Sequence, residues 1–192
     1  LVSLVEGKPV PISTYPENGF QPTAEQIAAY WTNRTKAVML ATPANPTGST
    51  VPRQSMQAIA DVVAQRKGTL IVDEIYQGLV YEGEDYSALA VSDDCLVINS
   101  FSKFFQMTGW RLGWLIAPPE LVEPIERIAM NAFLAAPTIA QYAALAAFQS
   151  DTLQLLDKRR EVLRQRRDYL LQALTGMGFK IPVTPQGAFY IY

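Results

Sequence analysis

The chain has 192 residues, of which 49% are hydrophobic, 18% are charged and 10% are aromatic, and its 16 basic and 18 acidic side chains give a formal net charge of −2. This is the composition of a globular protein with a hydrophobic core, and the near-neutral charge gives no reason to expect nucleic acid or an anionic membrane as a partner. The absence of histidine excludes Ser-His-Asp and Cys-His nucleophiles and every metal site that needs an imidazole.

Cysteine usage and apolar patterning predict where the protein resides. Cys95 is the single cysteine, which excludes an intrachain disulfide and fits a reducing compartment, so a cytoplasmic location is expected. The sequence has no signal-peptide pattern at its start and no uninterrupted apolar run of about 18 residues. Secretion and membrane insertion are therefore not expected.

Strand-like apolar runs alternate with helical patterns from residue 37 onwards. Strands are predicted over 37–43, 69–76, 95–102 and 111–118. Pro52 begins a helix that runs to about Lys67, with Gly68 placed to end it. The apolar positions of this helix follow helical spacing: Met56, Ile59, Ala60 and Val63. The alternation predicts an α/β fold with a mostly parallel sheet and flanking helices.

The chain after Pro118 is predicted to be helical. The segments 120–136 and 137–148 are rich in apolar residues, and 151–174 is a long amphipathic stretch closed by the glycines of 175–179. The leucines expected on one side of the long helix are Leu153, Leu156, Leu163, Leu170 and Leu174. The final GAFYIY is typical of a strand interior, and the chain is interpreted as a fragment of a longer protein.

Polar side chains follow each of the first three predicted strands. They are Asn45 after the first, Asp73, Glu74 and Tyr76 at the end of the second, and Ser100, Ser102 and Lys103 at the end of the third. Because ligands of open α/β sheets bind beyond the carboxyl ends of the strands, these side chains are expected to converge on one crevice.

This set of side chains matches the needs of pyridoxal phosphate. The cofactor's aldehyde requires an amine for a Schiff base, which Lys103 supplies, and its ring nitrogen stays protonated beside a carboxylate such as Asp73. Tyr76 and Asn45 are candidate donors to the anionic 3-oxygen. The candidates for the phosphate are Arg111, Ser100 and Ser102.

The sequence resembles the class I/II aminotransferases, which are fold type I pyridoxal-phosphate enzymes. The segments ANPTG (44–48), VDEIY (72–76) and SFSKFFQMTGWRLGW (100–114) are similar to three signature segments of that family. Asn45, Asp73, Lys103 and Arg111 are successively 28, 30 and 8 residues apart, which is also similar to the family. The resemblance extends over nearly the whole chain.

The resemblance implies a role for each matching residue. Lys103 would carry the Schiff base and shuttle the substrate proton, and Asp73 would pair with the ring nitrogen. Tyr76 and Asn45 would bind the 3-oxygen, with Asn45 also reaching the substrate carboxylate. The residues that would hold the phosphate are Arg111, Ser100 and Ser102.

The resemblance also implies a domain organisation and a set of missing parts. Residues 1–150 would form part of the large cofactor-binding domain, and 151–192 would form the linking helix and the beginning of a small α+β C-terminal domain. A phosphate-binding helix N-terminus, a ring-stacking aromatic and an arginine for the substrate carboxylate are not identifiable in the sequence. The N-terminal part of the family and most of the small domain are thus expected to lie outside the chain.

Three hypotheses for function remain at this point. The first is transfer of an amino group between an amino acid and a 2-oxo acid, favoured by MTGWRLGW (107–114), as part of amino acid metabolism. The second is a carbon–sulfur lyase of the same fold, and the third is an aminotransferase-like sensor domain of a transcriptional regulator. Expected partners are small-molecule amino acid and 2-oxo acid substrates, without nucleic acid, membrane or metal.

Four further expectations concern particular segments. A homodimer is expected, with the apolar region 121–148 in its interface, and the Asn45–Pro46 peptide bond is expected to be cis. Glu74 is expected to be only a cap or turn residue. The basic side chains of 158–167 alternate with acidic ones, which predicts a solvated, salt-bridged helix face rather than a nucleic-acid surface.

Overall fold

The computed structural model describes residues 2–192, which contain four strands, five α-helices and short 3₁₀ turns. The strands are β1 (Ala37–Ala41), β2 (Thr69–Asp73), β3 (Cys95–Ser100) and β4 (Gly113–Ile116). The helices are α1 (Ala24–Tyr30), α2 (Arg53–Gln65), α3 (Pro119–Ala132), α4 (Thr138–Ala147) and α5 (Ser150–Gly176). No helix within 2–192 is both long and apolar enough to cross a bilayer.

The strands form one sheet in the order β1-β2-β3-β4. β1, β2 and β3 are parallel, and β4 pairs antiparallel with β3. Leu40, Val72 and Val97 lie side by side in this register and are buried. The predicted α/β fold with a mostly parallel sheet and flanking helices is confirmed.

All four strands are shorter than predicted, because the chain turns away from the sheet after the last paired residue. At the end of β2 the Asp73 carboxylate accepts the backbone N–H of Ile75. At the end of β3 the Ser100 hydroxyl accepts the backbone N–H of Ser102. Such local bonds to short polar side chains replace the ladder bonds of a strand, so they begin the loops that carry the candidate site.

Helix α2 covers the sheet and provides much of the main core. Its four predicted core residues are all buried: Met56, Ile59, Ala60 and Val63. Full burial of each larger apolar side chain contributes about 1.5–3 kcal/mol, so this face fixes the helix on the sheet. The helix ends next to Gly68 as predicted, but it is Lys67 that takes the left-handed conformation, with φ 54°. Gly68 lies against the Trp31 ring, where an added Cβ would come within 2.3 Å of a ring carbon.

The predicted helices after Pro118 are also present. Helix α5 ends where the glycine pattern indicated, with Gly178 at φ 90° and the Phe179 N–H bonded to the Leu174 carbonyl. Leu156 is buried, whereas Leu170 is 45% exposed, so the predicted leucine stripe is only partly covered. Several large apolar side chains of α3, α4 and their connection are exposed: Val122, Ile128, Met130, Phe133, Leu134, Ile139, Tyr142 and Leu145.

The basic residues of α5 form the salt-bridged face that the charge pattern predicted, with one exception. Arg164 pairs with Glu161 at 2.6 Å and Arg160 pairs with Asp157 at 3.1 Å, both at the surface. Arg167 is instead 8% exposed and points inward. Its guanidinium pairs with Glu82 at 2.7 Å and donates to the Pro185 carbonyl at 2.8 Å. Helical spacing predicts Arg167 on the solvated face of α5. The groups that pair with it inside the protein belong to residues 82 and 185, which are distant in sequence and give no local signal.

The prediction that GAFYIY lies inside a strand is wrong. Gly187 makes a single antiparallel bridge to Val80, and Ala188 then takes a left-handed conformation at φ 59° that turns the chain. No strand of the described sheet pairs with this segment. Ala188 and Tyr190 instead pack in a cluster with residues 75–79 after β2, Phe104 after β3 and Leu163 of α5.

Candidate active site

The loop after β1 brings Asn45 to the carboxyl edge of the sheet. The Asn45–Pro46 bond is cis, as predicted, and so is Thr42–Pro43. Gly48 adopts φ 65°, and its carbonyl accepts the N–H groups of Gln186 and Gly187, each at 2.8 Å. A Cβ at Gly48 would lie 2.5 Å from the Pro185 side chain, so the close approach of these two segments requires glycine there.

The loop after β2 contains two carboxylates with different surroundings. Glu74 is 1% exposed and accepts the Ala88 N–H at 2.6 Å and the Ser87 hydroxyl at 3.2 Å. Burial raises the pKa of Glu74 above its usual value despite these bonds. Glu74 therefore caps the turn at residues 88–90, as predicted, whereas Asp73 is only half-buried and keeps carboxylate oxygen available at the strand end.

The phenol of Tyr76 lies at the centre of a hydroxyl and amide cluster. Tyr76 is 3% exposed, and its hydroxyl is 2.5 Å from that of Tyr190. The Asn45 side-chain amide donates to the same Tyr190 hydroxyl at 3.4 Å. Burial, followed by the bond to Tyr190 and the charge of Asp73, raises the pKa of Tyr76, so the phenol keeps its proton at neutral pH.

Lys103 lies three residues after the end of β3, with its ammonium group between two aromatic rings. The Nζ atom is 5.4 Å from the centre of the Tyr76 ring and 5.6 Å from that of Phe189. Lys103 and Phe189 also line a cavity of about 350 Å³, together with Ser102, Thr108 and Arg160. The amine is thus half-buried beside open volume, where a small molecule can reach it.

The remaining predicted residues, Ser100, Ser102 and Arg111, surround the start of the loop after β3. The Ser100 hydroxyl oxygen lies 2.9 Å from that of Ser102 and 3.1 Å from the Leu112 carbonyl oxygen, within hydrogen-bonding distance of both. Arg111 takes a left-handed conformation at φ 53°, and its exposed guanidinium donates to the Thr108 carbonyl at 2.9 Å. Its side chain makes that local bond rather than contacting either serine.

Asn45, Tyr76 and Lys103 are brought together through Tyr190 and Phe189, and Asp73 is close enough for its charge to affect Tyr76. The two serines form a second pair beside Lys103, and Arg111 lies apart from them at the surface. Sequence reasoning missed Tyr190 and Phe189 as site residues. Their signal was the aromatic run of GAFYIY, which was interpreted as a strand.

Comparison with known proteins identifies the family. The sequence profile of the family described as aminotransferase class I and II matches residues 1–192. The chain belongs to this family. Among curated class I and II aminotransferases, the aspartate/prephenate aminotransferase of Thermus thermophilus is 38% identical over 100% of the chain and 50% of its own length. The aromatic-amino-acid aminotransferase 2 of Thermococcus litoralis is 36% identical over 100% of the chain and 50% of its own length.

Solved aminotransferase structures have the same fold. A double mutant of Thermus thermophilus aspartate aminotransferase superposes with a TM-score of 0.94 at 37% identity, over 99% of this chain and 50% of that one. The enzyme solved with maleate gives a TM-score of 0.92 at 37% identity, over 97% of this chain and 50% of that one. The fold is thus that of the fold type I aminotransferases, and the chain spans about half the length of the relatives it matches.

The side chains at the sheet edge fit pyridoxal phosphate, the cofactor of this aminotransferase family. An aldehyde needs an amine, a pyridinium nitrogen needs a carboxylate and a phenolate-like oxygen needs hydrogen-bond donors. Lys103, Asp73, Tyr76 and Asn45 are the candidates for these groups, and they lie near one another at the carboxyl edge of the sheet. A phosphate needs hydroxyls and a cation, which the serine pair and Arg111 offer at the neighbouring loop.

Proposed function

We propose that the protein transfers an amino group between an amino acid and a 2-oxo acid with pyridoxal phosphate as cofactor. The observation that carries this proposal is the position of Lys103 Nζ, 5.4 Å from the ring of the buried Tyr76, in a site that has a carboxylate and an amide but no histidine. The matching family and the aminotransferase names of its relatives support the same activity.

Each polar group of the site has a proposed task in holding the cofactor. Asp73 keeps a proton on the ring nitrogen, because a carboxylate beside the nitrogen favours the protonated form. Tyr76 and Asn45 donate to the 3-oxygen. The proposed phosphate ligands are Ser100, Ser102 and Arg111, and contact by Arg111 requires its side chain to leave the Thr108 carbonyl.

Lys103 has two proposed tasks. Its amine would hold the cofactor covalently at the aldehyde carbon, with loss of water, until a substrate amine displaces it. The freed amine would then act as the base that moves the proton of the substrate α-carbon. The bound cofactor supplies the electron sink that makes this proton acidic. The aromatic faces of Tyr76 and Phe189 limit the directions in which Nζ can move.

Two other functions use the same residues. A carbon–sulfur lyase would share every contact around Lys103, and a regulator's sensor domain would keep them for ligand binding. The relatives named above are aminotransferases, and nothing in the site favours either alternative. Amino-group transfer therefore remains the proposal.

A panel of amino donors tests the function and defines its substrate class. Relatives at similar identity are named for aspartate and prephenate, aromatic amino acids, valine and arginine, so the family leaves the donor open. The full-length protein, meaning the whole translated product that contains these residues, is incubated with each donor, a 2-oxo acid and pyridoxal phosphate. We expect stoichiometric exchange of amino and oxo groups. Release of sulfide or ammonia without exchange would support the lyase instead.

The chain is proposed to comprise two parts. Residues 1–150 belong to the large cofactor-binding domain, and residues 151–192 form the linking helix and the beginning of the small domain. The sheet and the candidate site residues lie in the first part, and α5 with the turn carrying Tyr190 lies in the second. Substrate-carboxylate and ring-stacking groups are proposed to come from chain segments beyond these residues.

We also propose that the full-length protein is a cytoplasmic homodimer with α3 and α4 in its interface. Exposed apolar side chains are concentrated there, including Ile128, Phe133, Leu134 and Ile139, which are 65–81% exposed. The reduced state expected in the cytoplasm suits Cys95, a buried free thiol. Analytical ultracentrifugation at micromolar concentration should give a dimer, and Ile139→Asp should shift it toward monomer. A monomeric wild-type protein would contradict the proposal.

A further inference from the structure

The Tyr190 hydroxyl is the point at which two proposed cofactor ligands meet. It is 2.5 Å from the Tyr76 hydroxyl and accepts the Asn45 amide at 3.4 Å. We propose that Tyr190 is a positioning residue, which orients Tyr76 and Asn45 so that both donate to the anionic 3-oxygen of the cofactor. The inference rests on the proposed function and adds a residue from the opposite end of the chain to the site.

The hydrogen-bonding capacity of the three groups supports this role. A tyrosine hydroxyl has one proton to donate and lone pairs with which to accept. When Tyr190 donates to the Tyr76 oxygen, the Tyr76 proton is free for a third group, and one Asn45 amide proton also stays free. An anionic oxygen beside these two protons favours this arrangement, because the hydrogen bond from Tyr190 to Tyr76 then strengthens the one from Tyr76 to the anion.

The backbone that carries Tyr190 is built on the same loops that carry its two partners. Gly48, three residues after Asn45, accepts the N–H groups of residues 186 and 187. Leu79, three residues after Tyr76, accepts the Ala188 N–H at 2.9 Å. The geometry of the three side chains is therefore fixed by one set of backbone bonds.

A buried arginine, paired with a half-exposed glutamate, fixes the beginning of this turn. Arg167 of α5 donates to the Pro185 carbonyl, pairs with Glu82 and lies 5.1 Å from the centre of the Tyr81 ring. The Tyr81 hydroxyl in turn donates to the Ala188 carbonyl. These contacts hold residues 185 and 188 of the turn that leads to Tyr190, and they need no ligand.

The charged groups near the two phenols are few. Asp73 lies on the Tyr76 side, where its charge contributes to the raised pKa of Tyr76, and Lys103 Nζ lies over the Tyr76 ring. Neither is bonded to Tyr190, whose partners are a phenol and an amide. Removal of the Tyr190 hydroxyl therefore changes hydrogen bonding in the cluster without removing a charge.

The test is a spectrophotometric pH titration of full-length protein loaded with pyridoxal phosphate. In Tyr190→Phe the anionic 3-oxygen of the cofactor loses stabilisation. The bound pyridoxal phosphate should therefore keep its proton up to a higher pH than in the wild-type protein. We expect the titration midpoint to rise by roughly 0.5–1 pH unit, the effect of about one hydrogen bond. The ring contacts to Tyr76 and Phe189 remain, which preserves the fold. Tyr192→Phe is the matched control, since Tyr192 is 61% exposed, and it should leave the midpoint unchanged.

A double variant distinguishes positioning from a general structural effect. Because Tyr190 acts largely through Tyr76, Tyr190→Phe should have a smaller effect in a protein that already carries Tyr76→Phe. We expect less than half of the midpoint shift that Tyr190→Phe causes in the wild-type protein. Equal shifts in both backgrounds, or a single variant that titrates like the control, would overturn the inference and leave the proposed function intact. A wild-type protein that binds no pyridoxal phosphate would overturn the proposed function and the inference with it.

Discussion

Replacing Lys103 with alanine in the full-length protein is expected to lower kcat for amino transfer by at least about a thousandfold. Loss of a positioned general base alone costs roughly 10²–10⁴-fold, and the covalent attachment that precedes substrate binding is lost as well. The Lys103 side chain is half-exposed and contacts two ring faces without an ion pair to an acidic residue of 2–192, so its truncation leaves the fold intact. Steady-state assay with the best amino donor gives the measurement.

Two variants make the Lys103 experiment specific. Lys103→Arg keeps the positive charge but supplies a guanidinium that stays protonated, so it should be as inactive as alanine. Lys158→Ala removes an exposed lysine of α5 and should retain activity. Activity of Lys103→Arg near the wild-type level would show that only the charge of Lys103 is needed, which would contradict its proposed tasks.

Chemical labelling examines the same residue without relying on turnover. Borohydride reduction of the cofactor-loaded wild-type protein should place a pyridoxyl group on the peptide that contains Lys103, and none on that peptide in Lys103→Ala. Peptide mass spectrometry locates the label among the chain's six lysines. A label on Lys36 or Lys67 would refute the assignment.

The strand-end residues of the site were predictable because local pattern and sheet topology are enough to place them. Apolar runs define β1 to β3, parallel strands end on the same edge, and side chains that follow such strands meet there. The main core was predictable for a similar reason, since Met56, Ile59 and Val63 follow the helical period that buries one face of α2.

The missed residues depend on contacts between distant segments. Tyr190 and Tyr76 are 114 residues apart, and a left-handed Ala188 directs the chain away from a strand. Aromatic and β-branched residues favour a strand only where a neighbouring strand can pair with them, which composition alone does not reveal. Arg167 is similar, because the carbonyl and carboxylate that bury it come from residues 185 and 82.

The stability of the 192 residues produced alone is expected to be low. The outer strands β1 and β4 lie at the edges of the described sheet, and apolar side chains on them are exposed, with Met39 at 55% and Leu115 at 42%. The apolar surface of α3 and α4 adds to this. Unpaired edges and exposed apolar patches promote association, so we expect oligomers or aggregates on size-exclusion chromatography and a lower Tm than that of the full-length protein.

The isolated 192 residues are also expected to be inactive in amino transfer. Catalysis needs the substrate carboxylate clamped and the cofactor held on both faces, and the described site supplies the strand-end side only. Loss of a buried, bidentate carboxylate contact alone costs about 2–5 kcal/mol, or about 30-fold to several thousandfold in kcat/KM. The relatives, which are twice as long, have room for the missing groups.

The decisive comparison is a parallel assay of residues 1–192 and the full-length protein, each refolded and supplied with pyridoxal phosphate. Borohydride labelling of Lys103 in the shorter chain is the control that shows whether its site has folded, because Lys103 and its aromatic neighbours are all present in that chain. Labelling without turnover is the expected result, since attachment of the aldehyde requires only the strand-end side of the site. Comparable turnover by the two proteins would show that the substrate carboxylate is bound within these 192 residues. Arg160, which lines the cavity beside Lys103, would then be the first residue to test for that contact.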